Sequence, residues 1–174
     1  FGGNGGNAFW EQTAQWQAYQ SYPQEAFSSH NFGVYTENYF RHICHESQRY
    51  ASYFTHYYWA DKHGDDIIGK IWREAQKPED PIQAYMRITG INVAQFNEEI
   101  YDAATKFVTW DIDAIREIGS NYLGAQSFKS TALEDGSYQV SYDRCPGTTG
   151  YNVIRLNVPD AGTEVSTDFT GMVN

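Results

Sequence analysis

Basic clusters, cysteines and long apolar runs are all scarce in this chain. Its 12 basic residues stand against 22 acidic ones, a formal net charge of -10, and no Lys/Arg cluster appears anywhere. Nucleic acid and anionic membrane surfaces are therefore poor partners. No apolar run approaches the length needed to cross a bilayer, which excludes a membrane-spanning helix. No signal-peptide pattern is read within the chain, which opens on Phe1 and glycines rather than on a methionine. That start predicts a processed product or a fragment of a longer protein. A glycine-rich loop with a phosphate-binding lysine is missing, and no Ser/His/Asp order stands out. Cys44 and Cys145 are the two cysteines. Two readings stand for them: a disulfide, or two buried free thiols. A bridge would close a loop of about a hundred residues and add up to roughly 4.7 kcal/mol in the chain-entropy model. It would also indicate a secreted protein.

What is abundant is aromatic surface. Of 174 residues, 17% are aromatic and 41% hydrophobic, with 14 tyrosines and five tryptophans. That is enough for a substantial core in one domain. Aromatics at this density also suit an extracellular protein that binds carbohydrate.

The first two thirds read as helical. Asn7 is placed to cap a helix that ends at Ser21-Tyr22-Pro23, and a polar loop through Ser28, Ser29 and Asn31 is expected to follow. A short helix or helical loop is expected over about 35–46 and a stronger helix over about 48–62, with Gly64 just past its end. Asp65-Asp66 opens a segment carrying Ile67, Ile68, Ile71 and Trp72. Asp80-Pro81 and Asn92 are N-cap signals for helices over 82–88 and 93–108. Asp111 starts a last short one, stopped by Gly119. From about Tyr122 the character changes. Tyr138–Tyr142, Tyr151–Val158 and Glu164–Phe169 read as strands between glycines. The expected class is α+β, a mainly helical subdomain over residues 1–120 followed by a small β-rich region over 121–174, the start of a sandwich.

Several constellations bear on chemistry. Glu11 sits in the first helix between Trp10 and Trp16, a carboxylate favoured by the helix dipole but held beside bulky apolar surface. It is either a dipole-stabilising residue or a metal ligand. His45-Glu46 begins like a zinc-binding HExxH helix, but the fifth position is Arg49, so the motif is broken. His42, Cys44 and His45 are read either as metal ligands or as polar residues at a helix junction. His56 and His63 fall among aromatics and read as structural. Asp111 and Asp113 lack the further ligands of a calcium loop. Asp65-Asp66 and Glu98-Glu99 read as solvated helix ends or faces.

Taken in order, Gly5-Gly6, Phe9-Trp10-Glu11, Ala14 and Trp16 come first, then Tyr22-Pro23, Arg49-Tyr50 with Tyr53, and Tyr58-Trp59-Ala60-Asp61-Lys62 with Gly64. Ile71-Trp72, Tyr85 with Ile88-Thr89-Gly90, Phe96-Asn97, Trp110-Asp111 and Gly150 to Ile154 complete the series. This order resembles the later part of an uncharacterised, mostly secreted bacterial and fungal family related to gluzincin-type zinc metallopeptidases. The resemblance spans nearly the whole chain and implies a gluzincin-like helical subdomain. It implies that Glu11 matches the third zinc ligand, while an HExxH helix upstream of this chain supplies two histidine ligands and a general base. Tyr50 and Tyr53 are candidates for oxyanion or substrate contact, against a core role for both. The implied function is a C-terminal fragment of a secreted zinc-metallopeptidase-like protein. Without the upstream helix this chain is not competent for peptide hydrolysis. Zinc, the upstream segment of the same precursor, and a peptide or glycan are the cofactor and partners expected. The rival expectation is a non-catalytic extracellular module that binds carbohydrate or protein through exposed aromatics.

Overall fold

The computed structural model describes residues 6–126, 128–156 and 158–171. The helices run α1 (Gly6–Ser21), α2 (Glu25–Ser28), α3 (His30–Asn38), α4 (Phe54–His63), α5 (Asp66–Glu74), α6 (Pro81–Thr89), α7 (Val93–Thr109) and α8 (Arg116–Gly119). A two-stranded antiparallel hairpin follows, β1 (Ser130–Ala132) with β2 (Tyr138–Val140), in the register Ser130↔Val140 and Ala132↔Tyr138. The class is α+β. Among the described residues no helix is long and apolar enough to cross a membrane.

The cap signals explain the central helices. Asp80 accepts from the Gln83 backbone N–H at 2.8 Å, and the Gln83 side chain returns to the Asp80 N–H at 3.0 Å. Asn92 and Gln95 repeat this reciprocal pair ahead of α7. Each pair satisfies two of the backbone donors that a helix start leaves open. Pro81 follows its cap at the first helical position, and Gly90, at φ 74°, ends α6.

The core is organised around α4, in which all seven residues Phe54–Ala60 are buried. Such a helix has no solvent face to give away, so neighbours close on it from every side. α1, α5 and α7 do so. Trp59 stacks on Tyr85 of α6 with ring centroids 4.2 Å apart. Trp110, fully buried in the left-handed conformation at φ 55°, ends α7 and packs 4.7 Å from the Phe54 ring. A Cβ at Gly119 would lie 2.5 Å from the Trp110 Cβ, so only glycine allows this approach.

Ser28–Asn31 belongs largely to α2 and α3 rather than to a polar loop, while over 35–46 the helix ends at Asn38 and turns follow, and the helix expected from about 48 begins at Phe54. Burial of Ala26, Phe27, Phe32 and Tyr35 decides this region, helped by the Tyr19–Ser29 and Asn31–Gln15 side-chain hydrogen bonds. Tertiary packing there overrides the loop preference of Ser and Asn. Tyr151–Val158 and Glu164–Phe169 contain no strand among their described residues.

The chain leading into the first of these segments straps the end of α3 instead. Gly147 N–H donates to Phe40 O at 2.7 Å, Ile43 N–H to Thr149 Oγ1 at 2.8 Å, and the Tyr35 and Tyr151 hydroxyls lie 2.8 Å apart. Within 151–158 the Tyr151 N–H goes to the Tyr39 carbonyl and the Val153 N–H to the Tyr39 hydroxyl, each at 3.4 Å, rather than to a sheet ladder, so the β-branched pattern misleads. A Cβ at Gly150 would fall on the Phe40 carbonyl oxygen.

Candidate functional site

Glu11 is the single charged side chain of α1, and it stands at the edge of the helix face that carries exposed Trp10, Ala14, Gln17 and Ala18. Its side chain is 31% exposed, with an Arg49 Nη2 3.9 Å away. Arg49 itself is held by Glu46 at 2.8 Å, and its guanidinium lies over the Tyr50 ring at 5.6 Å. The Glu11 carboxylate is thus accessible and only loosely committed, since an ion pair at that distance near the surface contributes little.

The other anticipated site residues separate. Tyr50 is exposed and lies near Glu11 through Arg49. Tyr53 is fully buried, and its hydroxyl donates to the Ala26 carbonyl at 2.5 Å, which ties α2 to the core. Cys44 and Cys145 are free thiols, partly buried and exposed respectively. Burial pushes the Cys44 thiol up to about 12, so it stays protonated and unreactive near neutral pH. His42 Nδ1 accepts from the Cys44 N–H at 3.0 Å, and His45 Nδ1 accepts from the Ser47 N–H at 3.1 Å. Among the described residues no group of three or more His, Cys, Asp or Glu is placed to hold a metal ion.

Two polar constellations were not anticipated. One joins α4, α6 and α7. Tyr85 O–H donates to Glu99 at 2.5 Å, and the His63 Nε2 lies 2.8 Å from the Tyr85 oxygen, so its N–H is the donor there. Lys62 stands 3.6 Å from Glu99 and 3.3 Å from the Tyr58 hydroxyl, which donates to Asp102 at 2.7 Å. Each of these groups is partnered. Burial first, then hydrogen bonds to carboxylates, push the Tyr58 and Tyr85 hydroxyls well above their ordinary range. They act as fixed donors.

The second constellation lies where α1 crosses α4. Thr13 Oγ1 donates to the Phe9 carbonyl at 2.8 Å and accepts from Trp72 Nε1 at 3.2 Å. The His56 Nε2, 2.9 Å away, is then the donor to Thr13, which leaves Nδ1 as a bare acceptor. His56 is fully buried, its Nδ1 has no partner, and burial lowers its pKa to about 3. Beside it a cleft of about 230 Å³ is lined by Trp16, Gln20, Tyr57, Ala60, Asp61, Asp65, Asp113 and Ala114. Trp16 Nε1 and the Tyr57 hydroxyl are buried without a hydrogen-bond partner among the described residues.

With this geometry in place, the family follows from a match of its model to residues 1–174. The chain belongs to DUF6055, a family of unknown function. It matches no curated protein and no solved structure. In this DUF6055 chain Glu11 was legible in the sequence as a carboxylate among tryptophans, and so was its place on a helix. The cleft was not. Trp16 and Gln20 sit at i,i+4, but Tyr57, Asp61 and Asp65 also follow at i,i+4, and only that second spacing could have flagged one face of α4 running into α5.

Proposed function

We propose that this chain is part of a secreted zinc-metallopeptidase-like protein and contributes one metal-binding carboxylate, Glu11, to a centre whose other ligands lie on a different segment. The observation that carries this reading is the loosely held Glu11 on the exposed face of α1. The order Glu11, Ala14, Trp16, which resembles the gluzincin third-ligand helix, supports it. The described residues do not by themselves fit a zinc ion, because they provide no group of three ligands. No catalytic step is therefore assigned to this chain. Arg49, held by Glu46, keeps a cation beside Glu11 without engaging it closely.

The test is the metal content of native material by elemental analysis, with intact mass recorded on the same sample. Stoichiometric zinc that is lost in Glu11→Ala, with an HExxH segment present, is the expected result. A folded native protein without zinc would remove the metal role of Glu11.

A further inference from the structure

The arginines of the helical body and its strap divide into two kinds. Arg49, Arg73, Arg87 and Arg116 each hold a carboxylate. Arg41 and Arg144 form no ion pair among the described residues, in a chain with 22 acidic residues against 12 basic ones. The strap brings these two to one ring, with guanidinium carbons 5.1 and 4.9 Å from the centre of Phe40. The charges are thus no more than about 10 Å apart, about one Debye length at 0.1 M salt, so one anion feels both. Each is positioned without being neutralised. Arg41 Nε donates to Asn38 Oδ1 at 3.1 Å, and Arg144 Nη1 donates to the Glu37 carbonyl. Neither Asp80, which acts on His42, nor Glu46, held by Arg49, pairs with them.

His45 adds an independent observation. Its Nδ1 accepts from the Ser47 N–H, so Nε2 is the nitrogen that carries the proton. That Nε2 stands 3.2 Å from Arg41 Nη1, which can also only donate. Two donors so close lack an acceptor that both can use. The opposite tautomer would let Nε2 accept from Arg41, but would take the acceptor from the Ser47 N–H. His45 is exposed and Arg41 half-buried, so a ligand can reach this pair from solvent.

The ligand that fits is an acceptor with negative charge. A carboxylate presents two oxygens in one plane, which the edge of a single guanidinium satisfies. A tetrahedral oxyanion presents three or more around one centre, enough for Arg41 and His45 together. A long polyanion would meet the rest of a chain whose net charge is -10. We propose that Arg41 and His45, with Arg144 supplying a second charge, bind the phosphate or sulfate group of a small ligand.

This site uses neither Glu11 nor a metal, so it stands or falls apart from the zinc reading. NMR of the whole isotope-labelled chain, at constant ionic strength, would follow the side-chain nitrogens of Arg41 and His45. Inorganic phosphate and sulfate should shift both saturably, acetate should not, and free His45 should carry its proton on Nε2. A sugar phosphate titrated against the matching sugar sulfate then shows which group the site prefers. His45→Asn keeps an acceptor for the Ser47 N–H but has no group in the place of Nε2, and Arg41→Gln removes a charge. Each, with unchanged helical circular dichroism, should weaken binding about three- to tenfold. Arg73→Gln makes the same change in net charge on α5, where Asp66 already pairs the arginine, and should leave the affinity unchanged. No saturable shift with either anion, an equal response to acetate, a proton on Nδ1, or an equal loss in Arg73→Gln would each overturn the proposal.

Discussion

Helix α4 carries two polar clusters that differ in one respect. Toward α6 and α7, its Tyr58, Lys62 and His63 enter a network in which each hydroxyl, carboxylate and ring nitrogen contact has a protein partner. Toward α1, its His56 and Tyr57, together with Trp16, leave three buried polar atoms with none. The same helix thus contributes a closed network and an open one. A closed network fixes neighbouring elements, because removing any member strands the others in a low-dielectric interior. An open one contributes less, because its buried groups have given up water without gaining a protein partner.

The sharpest way to break the comparison is to remove an anion from each side. Glu99, 7% exposed, receives the Tyr85 hydroxyl and faces Lys62 and His63. Glu99→Ala should cost about 3 kcal/mol, because it leaves a buried phenol and a cation without their acceptor. Asp65→Ala, on the open side, should change stability by no more than about 0.5 kcal/mol. Urea unfolding monitored by circular dichroism gives both values. Equal losses would erase the distinction between the two clusters.

Acid sharpens it next. Burial holds His56 at about 3 against an ordinary 6.5, so the folded protein refuses a proton that the unfolded chain accepts. Its contribution is fully present above pH 6.5 and is lost as pH falls toward 3. By pH 5 the loss is about 2 kcal/mol. A wild-type minus His56→Gln difference in urea stability, taken from pH 7 to pH 5, should show this loss. A flat difference would mean that His56 takes up its proton while folded, with Nδ1 finding a partner. Glu79, held at about 2 by Arg87, stays ionised throughout that window and cancels in the difference.

Much of the helical body was legible. The Asp80-Pro81 and Asn92 caps, the stops at Gly64 and Gly90, and the stripe of α7 are local signals that tertiary packing reinforces. The strap over 144–153 was not, because a β-branched run such as 151–158 leaves open what the backbone bonds to, and here Ile154, Leu156 and Val158 stay exposed. The sites divide in the same way. Glu11 was visible because one charge in an otherwise uncharged helix is a feature of the sequence itself. The cleft depends on Trp16 meeting Tyr57 at 6.5 Å across 41 positions, and on hydroxyls and ring nitrogens that lack partners. Missing hydrogen bonds leave no trace in a sequence. His63 likewise read as a helix-end residue, and only the fold sets it beside Tyr85 and Glu99.

The smallest effect makes the cleanest test, because the same atom is removed from both clusters. Tyr85→Phe deletes a hydroxyl that donates to Glu99 and accepts from His63, and should cost about 1–2 kcal/mol. Tyr57→Phe deletes one with no partner, and relieves the cost of burying it. Its stability should match wild type or exceed it by up to about 1 kcal/mol. Both phenols lie deep enough that burial raises them, so neither change alters charge near neutral pH. Apolar packing is also kept, since each ring remains. The pair therefore isolates hydrogen-bond completeness from every other difference between the two sides of α4. If Tyr57→Phe were as costly as Tyr85→Phe, its hydroxyl would have a partner already, an ordered water being the simplest, and the two sides of α4 would not differ in completeness.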